Sequence, residues 1–354
     1  MKIAVLVSGG VDSSVALQFL KNQGHEVTAF YLKIWLEDEL SYLGDCPWQE
    51  DLAYVTAVCK QLDVPLEVIS LQQEYKNEVV SYTVAQVKAG RTPNPDILCN
   101  QRIKFGLFLD SIDMQFDKVA SGHYAQVREN NGIVELFQSP DPIKDQTYFL
   151  SYLNQNQLKR VMFPIGHLQK DEVRALAHEF NLPNKDRRDS QGICFLGKFK
   201  FSDFIKHHLG IQPGDLVEQE SGKIMGQHNG FWFYTLGQRQ GIRLGGGPWY
   251  VVAKDIAKNI VYISRNYYSQ DKSRDIFKVN TIHWLSGVNP LISECDVKLR
   301  HGEQKYRCAM HCNKDGSFSI TLSASDQGIA PGQYAVFYQD DVCLGSGVIV
   351  EENN

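Results

Sequence analysis

The first 120 residues alternate short, continuously apolar runs with longer stretches in which apolar residues recur at helical spacing. Continuous apolar runs are typical of parallel strands that helices cover on both faces. Strands are predicted at residues 2–7, 26–35, 66–71 and 118–120. Helices are predicted at residues 12–22, 47–62, 73–88 and 99–112. This alternation predicts an α/β domain built on a parallel sheet.

After residue 130 the helical spacing gives way to short runs separated by glycine and other turn residues. The Asn130-Asn131-Gly132 sequence predicts a tight hairpin, and helical patterns follow at 146–158 and 170–180. Beyond residue 200, strands are predicted at 231–234, 249–253, 260–263, 296–299, 317–322 and 334–338. We interpret these runs as a small β-rich domain followed by a closing β-barrel. The predicted domains span 1–200, 201–272 and 273–354.

Composition narrows the class of protein. The 354 residues are 43% hydrophobic and 22% charged, which is ordinary for a folded protein. No apolar run approaches the roughly 20 residues of a membrane span, and the apolar start lacks the features of a signal peptide. We therefore expect a cytoplasmic protein without membrane association, whose eight cysteines are thiols of a reducing compartment. The net charge of −5 means that nucleic-acid binding would need local basic patches.

The sharpest local signal is Ser8-Gly9-Gly10-Val11-Asp12-Ser13-Ser14, here called the phosphate loop, between the first predicted strand and helix. Two glycines let the backbone approach an anion, and the free N–H groups of a helix start favour phosphate. The loop lacks the Lys-Ser/Thr ending of a Walker A loop and the G-x-G-x-x-G spacing of a dinucleotide-binding site. The alternative interpretation is a purely structural glycine turn capped by serines. Residues 121–124, Ser-Gly-His-Tyr, end a later strand and are expected at the same edge of the sheet.

Two cysteines lie in sequences that suit reactive thiols. Cys99 follows Pro93-Asn94-Pro95-Asp96 at the predicted start of a helix, a position that lowers a thiol pKa. Asp96 could cap that helix or act as a general acid or base, and a buried core cysteine is the alternative for Cys99. Cys194 lies between glycines just after the basic run 185–188. The sequence separation neither supports nor excludes a pairing of the two thiols.

Other clusters carry weaker signals. Cys308 and Cys312 have no second pair at metal-ligand spacing, so no zinc site is predicted there. The candidates for contacts with a phosphate backbone are Arg239, Arg243, Lys298, Arg300, Lys305 and Arg307.

A series of motifs, in order along the chain, carries a family resemblance. The motifs are S-G-G-V-D-S at 8–13, R-T-P-N-P-D-I-L-C-N at 91–100, S-G-H-Y at 121–124, K-D-Q-T-Y-F-L at 144–150, D-S-Q-G-I-C-F at 189–195, Y-T-L-G-Q-R-Q-G at 234–241 and P-G-Q at 331–333. The first alone resembles the PP-loop of ATP pyrophosphatases, and together they resemble the tRNA-specific 2-thiouridylase family over essentially the whole chain. This resemblance implies a Rossmann-like PP-loop domain, a small central β domain and a C-terminal β-barrel.

The resemblance also implies a reaction. Sulfur would replace the 2-oxygen of the wobble uridine in tRNAs for lysine, glutamate and glutamine, with Mg²⁺-ATP adenylating that oxygen. A cysteine desulfurase or a relay protein would deliver the sulfur as a persulfide on Cys194. Cys99 would then either reduce the persulfide or resolve it to a Cys99–Cys194 disulfide, and Asp96 would move the proton. We expect a monomer in which residues 186–200 become ordered over the site when tRNA and ATP bind.

Binding roles follow from the same resemblance, position by position. The implied ATP contacts are Leu6, Val7, Ser8, Gly9, Gly10, Val11, Asp12, Ser13, Leu32 and Gly122. The implied contacts with the target base and the tRNA are Asn94, Pro95, Asp96, His123, Lys144, Asp145, Gln146, Arg300, His301 and Gln333. Two other functions remain as alternatives. One is a different PP-loop ATP pyrophosphatase with a small-molecule substrate, which would not need the two cysteines. The other is a non-catalytic tRNA-binding or sulfur-carrier protein.

Overall fold

In the described residues, seven strands and seven helices build the N-terminal part of the chain. The structure, a computed structural model, describes residues 1–34, 47–112, 115–189, 200–267 and 274–350, so the predictions for Cys194 lie outside it. The strands are β1 (Lys2–Leu6), β2 (Glu26–Lys33), β3 (Leu66–Ser70), β4 (Lys118–Ser121), β5 (Ala125–Asn130), β6 (Ile133–Gln138) and β7 (Val161–Met162). The single-segment helices are α1 (Val11–Asn22), α2 (Pro47–Leu62), α5 (Thr147–Leu150), α6 (Gln155–Leu158) and α7 (Lys170–Glu179).

The remaining two helices of this part each contain a wider, π-helical middle segment. Helix α3 comprises Gln72–Tyr75, Lys76–Val80 and Ser81–Lys88, and α4 comprises Pro95–Leu98, Cys99–Leu107 and Phe108–Ser111. Insertions of π-helix are rare and occur often at functional sites. The one in α4 begins at Cys99.

A five-stranded parallel sheet in the order β3-β2-β1-β4-β7 confirms the predicted α/β fold. Alternate residues of β1 face opposite sides, with Ile3 and Val5 in the core under α1 and Ala4 and Leu6 in a second core. From β1 the chain continues to β2 on one side, while β4 pairs with β1 on the other. The carboxyl ends of β1 and β4 therefore flank the crevice where open α/β sheets bind ligands.

The central part is a four-stranded sheet in the order β10-β11-β8-β9. Its strands are β8 (Gly214–Glu218), β9 (Ile224–His228), β10 (Tyr250–Asp255) and β11 (Ile260–Ser264). The strand predicted at 231–234 is wrong, because Phe231–Phe233 forms a 3-10 turn after Gly230, whose φ is +144°. Sequence analysis also missed helix α8 (Phe201–Leu209), which packs between α3 and that turn and buries Phe204.

The C-terminal part confirms the predicted barrel. Its strands are β12 (Ile276–Val279), β13 (His283–Trp284), β14 (Glu294–Lys298), β15 (Tyr306–Cys312), β16 (Phe318–Leu322), β17 (Tyr334–Gln339) and β18 (Val342–Val350). The order β12-β16-β15-β14-β17-β18 closes where β18 pairs with β12. The predicted hairpin at 130–132 is also confirmed, and it joins this barrel. Its strand β6 pairs with β18 through Phe137 and Leu136.

No helix in the described ranges has the length and apolarity that crossing a membrane would require.

Candidate functional site

The phosphate loop wraps the start of α1. Gly9 has a φ of +79°, and a Cβ there would lie 2.7 Å from the carbonyl oxygen of Asp51, so a side chain has no room. Gly10 is the N-cap residue, and its carbonyl accepts hydrogen bonds from the hydroxyls of Ser13 (3.0 Å) and Ser14 (3.1 Å). The first N–H groups of a helix lack acceptors within it and can bind an anion. The loop thus has the shape and the donors that a polyphosphate needs.

The Ser-Gly-His-Tyr segment after β4 lies directly against this loop, as expected. A Cβ on Gly122 would lie 2.7 Å from the backbone nitrogen of Ser13. The Tyr124 hydroxyl donates to Asp12 Oδ1 (3.0 Å), and burial together with the Asp12 charge raises the pKa of Tyr124, so it remains a donor. Gln146 accepts from the Tyr124 N–H (3.0 Å) and its own N–H donates to the Tyr124 carbonyl (2.9 Å). Three of the predicted motifs therefore meet at one crevice.

Asn184 donates hydrogen bonds to the phosphate loop, and its side-chain oxygen is an acceptor that a bound group would satisfy. Its Nδ2 donates to the Gly9 carbonyl (2.8 Å) and to the Ser14 hydroxyl (2.9 Å). Its buried Oδ1 has no hydrogen-bond partner among the described residues. Asp12 is the carboxylate on the loop, and Mg²⁺ is usually held by one or two carboxylates together with substrate phosphates and water. The residues present fit Mg²⁺-ATP.

The remaining predicted ATP contacts, of which Leu32 was predicted on the adenosine side, lie near the same strand ends. Leu6 and Val7, where β1 runs into the loop, are buried, and Leu32 lies at the carboxyl end of the neighbouring strand β2. Val11 is buried at the start of α1. Apart from backbone groups, these positions offer apolar surface.

An ionic network joins the loop to Asp189, a connection that sequence analysis missed. Lys170 Nζ lies 2.6 Å from Asp12 Oδ1 and 2.8 Å from Asp189 Oδ1. Asp189 also pairs with Lys144 Nζ (2.8 Å) and with Arg174. Partial burial raises the pKa of Asp189, but hydrogen bonds from Lys144 and Lys170 outweigh burial and hold it below the ordinary 3.8.

Asp189 is the last described residue before Cys194, which follows it five positions later. The prediction that Cys194 belongs to this site therefore lies outside the described residues.

The start of α4 differs from the sequence prediction. The helix begins at Pro95, and Asn94 Oδ1 caps it by accepting from the N–H groups of Asp96 (3.1 Å) and Ile97 (3.2 Å). Proline suits the first helical position and asparagine suits the cap, a signal that the sequence does contain. The interpretation of Asp96 as the cap is therefore wrong. Cys99 lies in the second turn and is fully buried, so its predicted place at the helix start is wrong too.

The segment before Asn94 lies where all three parts of the chain meet. The Thr92 N–H donates to the Pro331 carbonyl (2.8 Å), and a Cβ on Gly332 would lie 2.9 Å from Thr92 N. Lys254 of the central part donates to the Gly90 carbonyl. Next to this junction, the Gln333 Oε1 atom is buried without a hydrogen-bond partner among the described residues. The predicted base contacts Asn94, Pro95 and Asp96 and the predicted tRNA contact Gln333 thus border one junction.

A second junction joins residues 144–149 to the barrel. Asp145 Oδ2 and Lys298 Nζ are 2.9 Å apart, with side chains 0% and 2% exposed. The suggestion that Lys298 contacts a phosphate backbone is therefore wrong, and the Asp145 carboxylate also points inward. His301 Nε2 lies 3.1 Å from the Asp145 carbonyl, and its ring stacks on Phe149. Arg300 pairs with Asp326.

His123 follows Gly122, which lies directly against the phosphate loop. Its Nδ1 is 2.7 Å from the Ser121 hydroxyl, and its ring packs against Phe105 and Phe163. Burial, reinforced by the Lys104 charge, holds the pKa of His123 well below its ordinary value. The imidazole is therefore neutral at pH 7 and available for hydrogen bonding.

Three family models match consecutive parts of the chain. They are described as the tRNA methyl transferase HUP domain (residues 1–198), the tRNA methyl transferase PRC-barrel domain (202–265) and the aminomethyltransferase beta-barrel domain (274–349). Full-length relatives carry a different description. A tRNA-specific 2-thiouridylase MnmA of Parabacteroides distasonis is 45% identical over 358 residues, which cover 99% of each chain. The protein of the same description from Porphyromonas gingivalis is 43% identical over 365 residues, again covering 99% of each.

A solved structure of NMN synthetase from Francisella tularensis is far more distant. It is 15% identical, with a TM-score of 0.36, and covers 57% of this chain and 71% of its own. This likeness is too low to bear on function.

Proposed function

The chain belongs to the tRNA-specific 2-thiouridylase family and so is a tRNA sulfurtransferase. We propose that it adenylates the 2-oxygen of a tRNA uridine and then replaces that oxygen with sulfur from a cysteine persulfide. The observation that supports this most is the convergence of the phosphate loop, residues 121–124 and Asp189 at one crevice. An anion site and the chain leading to Cys194 are thereby adjacent. Such adjacency is what a reaction needs when it activates an oxygen and then replaces it with sulfur.

The phosphate loop carries the first half-reaction. Bound Mg²⁺-ATP would supply the adenylyl group that converts the 2-oxygen of uridine into a leaving group. Backbone N–H groups at the start of α1 hold the phosphates, and Ser8 and Ser13 add hydroxyls whose oxygens lie 3.4 Å apart. Asp12 would hold Mg²⁺, and Leu32 and Gly122 would border the adenosine. Asn94, Pro95 and Asp96 orient the base, with Asp96 as the proton carrier.

The cysteines carry the second half-reaction. The outer sulfur of a persulfide on Cys194 replaces the adenylated oxygen, which leaves as AMP. The bond between Cys194 and that sulfur breaks, and the Cys99 thiolate forms a disulfide with Cys194. Either Cys99 attacks first and releases sulfide, which then adds to the base, or the persulfide adds directly and Cys99 resolves the adduct. Cys99 is fully buried, so its thiol reacts inside a water-excluded site.

The macromolecular partners follow from the same proposal. The substrates are the tRNAs for lysine, glutamate and glutamine, bound by a monomer through His123, Lys144, Gln146, His301 and Gln333. Arg300 and the backbone of Asp145 lie in the same region. A cysteine desulfurase, directly or through a relay protein, supplies the sulfur.

A sulfur-transfer assay tests the proposal. Unmodified glutamate tRNA is incubated with the protein, ATP, Mg²⁺, a cysteine desulfurase and cysteine, and then run on a mercury-containing gel that retards thiolated RNA. We expect a shifted band that is lost without ATP and lost in Cys99→Ser and in Cys194→Ser. Cys312→Ser is the matched control, because Cys312 is exposed on the barrel and should leave the band unchanged. A band that survives both serine substitutions would overturn the cysteine mechanism.

A further inference from the structure

Helix α5 lies between α4 and the barrel and contacts both. On the α4 side, the Asn100 Nδ2 atom donates to the Phe149 carbonyl (3.1 Å), and Asn100 directly follows Cys99 in the chain. On the barrel side, the Phe149 ring stacks on the His301 ring, with the ring centroids 4.8 Å apart. One short helix therefore joins the segment that holds Cys99 to a predicted tRNA contact.

The Tyr148 hydroxyl, also on α5, reaches two separate segments of the barrel. The residue is buried, and its hydroxyl donates to the Tyr334 carbonyl (3.1 Å) and to the Leu299 carbonyl (3.4 Å). Burial raises the pKa of Tyr148, so the hydroxyl keeps its proton. Leu299 directly precedes Arg300, and Tyr334 directly follows Gln333. The hydroxyl thus ties together the two barrel segments that carry predicted tRNA contacts.

The same hydroxyl contacts the cap of α4. The first turn of α4 packs against α5, and the Asn94 side chain is hydrogen-bonded to Tyr148. The oxygen of the Asn94 amide already accepts from the N–H groups of Asp96 and Ile97, and the single proton of the hydroxyl points to the barrel carbonyls. Since an amide has two N–H donors and a hydroxyl has two lone pairs, Asn94 donates and Tyr148 accepts. This bond fixes which way the Asn94 amide faces.

We infer that Tyr148 is a positioning residue for thiolation, which keeps the Asn94 amide aligned with the tRNA-binding segments of the barrel. The inference rests on the proposed function, because it assumes that Asn94 orients the target base. Tyr148 is buried and makes no contact with phosphates, so it adds little to the affinity for tRNA. A misplacement of about 1 Å can lower a rate about 100-fold, so loss of the hydroxyl lowers the rate of thiolation.

Single-turnover thiolation of unmodified glutamate tRNA separates rate from affinity. The full-length protein is in excess over the tRNA, with saturating Mg²⁺-ATP, a cysteine desulfurase and cysteine labelled with radioactive sulfur. Doubling the desulfurase checks that sulfur delivery does not limit the rate. A titration of the protein gives the maximal rate constant and the protein concentration at half the maximal rate. Thermal unfolding defines a temperature at which every variant is folded.

Tyr148→Phe removes the hydroxyl and keeps the ring. We expect the maximal rate constant to fall at least about tenfold, while the half-maximal concentration changes less than about threefold. Tyr338→Phe is the matched control, because the buried Tyr338 hydroxyl also joins the barrel to α5, 3.2 Å from Thr147 Oγ1. Since Thr147 keeps Asp145 as a partner, both values should stay within about twofold in this control. Tyr148→Met, which also lacks the hydroxyl, replaces Tyr148→Phe if the latter does not fold.

A double substitution tests whether Tyr148 acts through Asn94. Serine is a good cap, so Asn94→Ser keeps the start of α4 and removes the amide that donates to Tyr148. Asn94→Ser alone should lower the maximal rate constant at least about tenfold. Adding Tyr148→Phe to Asn94→Ser should lower it by less than a further factor of about three, because the effects of residues that act as a unit do not add.

The outcomes separate the inference from the proposed function. Three results would overturn the inference alone: an unchanged rate constant in Tyr148→Phe, a loss of affinity in place of rate, or an effect of Tyr148→Phe that is equally large with and without Asn94→Ser. An unchanged rate constant in Asn94→Ser would overturn the proposed role of Asn94 and the inference with it.

Discussion

Asp145 and Lys298 form an ion pair in which both side chains are buried. The pair joins the N-terminal part of the chain to the barrel. Their charged atoms lie 2.9 Å apart, and Asp145 also accepts from Gln138 (2.7 Å) and from the Thr147 hydroxyl. A buried ion pair adds little to the free energy of unfolding compared with well-packed apolar residues in its place. Removing one partner, however, leaves the other charge buried without a counter-charge. The pair therefore fixes the position of the barrel more than it adds stability.

Lys298→Met should destabilise the protein strongly, because the Asp145 carboxylate would remain buried without its counter-charge. We expect the free energy of unfolding to fall by about 3–5 kcal/mol, measured by urea denaturation. Lys314→Met is the control, since Lys314 is exposed on the barrel and should change stability by less than about 0.5 kcal/mol. A loss below about 1 kcal/mol in Lys298→Met would contradict the role given to this pair.

Asn94→Ala should weaken α4 by removing its cap. The expected loss is about 1 kcal/mol of unfolding free energy, because two N–H groups lose their acceptor. Asn94→Asp keeps an acceptor in the same place and should retain nearly full stability. Thermal unfolding distinguishes the two, and equal losses would show that capping is not the reason Asn94 is there.

Gly122→Ala should weaken nucleotide binding without unfolding the protein. The added Cβ would lie 2.7 Å from Ser13 N and would push residues 121–124 away from the phosphate loop. We expect the Kd for an ATP analogue, measured by calorimetry, to rise at least about tenfold, which corresponds to about 1.4 kcal/mol. Gly245→Ala is the matched control because a Cβ there meets nothing within 4 Å. Equal affinities in the two variants would contradict the close approach.

The low pKa of Asp189 predicts an acid-sensitive contribution to stability. A carboxyl whose pKa is depressed on folding stabilises the protein above its unfolded pKa, near 3.8, and loses that effect as the pH falls towards the folded value. The stability difference between the unsubstituted protein and Asp189→Asn should be constant from pH 7 to 5 and shrink below pH 4. Thermal unfolding at each pH measures it, with the exposed Asp340→Asn as control. A difference that stays unchanged as the pH falls from 4 to 2 would contradict the ionic network.

Binding of tRNA should depend steeply on salt, because lysine and arginine side chains that contact phosphates release the counterions held by the RNA. Arg239 and Arg243 are exposed in the loop that follows Thr235, which contacts Thr92 at the three-part junction. Arg239→Gln and Arg243→Gln should each reduce the slope of log K against log salt by about 1 in filter-binding assays. Lys2→Gln is the control, because Lys2 lies at the opposite, amino end of β1. A flat salt dependence would contradict this electrostatic account.

The fold and the phosphate loop were predictable because their signals are local. Apolar runs and a glycine turn between a strand and a helix determine β1, the phosphate loop and α1 within a few residues. The start of α4 was predicted at Cys99 instead of Pro95, although Asn94 and Pro95 carry the local signals of a cap and a first helical residue. Lys170 could not be found, because its partners Asp12 and Asp189 become neighbours only when the chain folds. Residue roles carried over from the family resemblance stay predictions.

The hydrogen bonds between β6 and β18 limit where the chain can be truncated. Strand β6 belongs to the N-terminal part in sequence, yet its neighbour is a barrel strand. A fragment that ends before the barrel would expose the backbone edge of β6, and an exposed edge readily pairs with other chains. N-terminal fragments that end at a predicted domain boundary would therefore tend to self-associate through the β5–β6 hairpin. The N-terminal part and the barrel are best expressed as one chain.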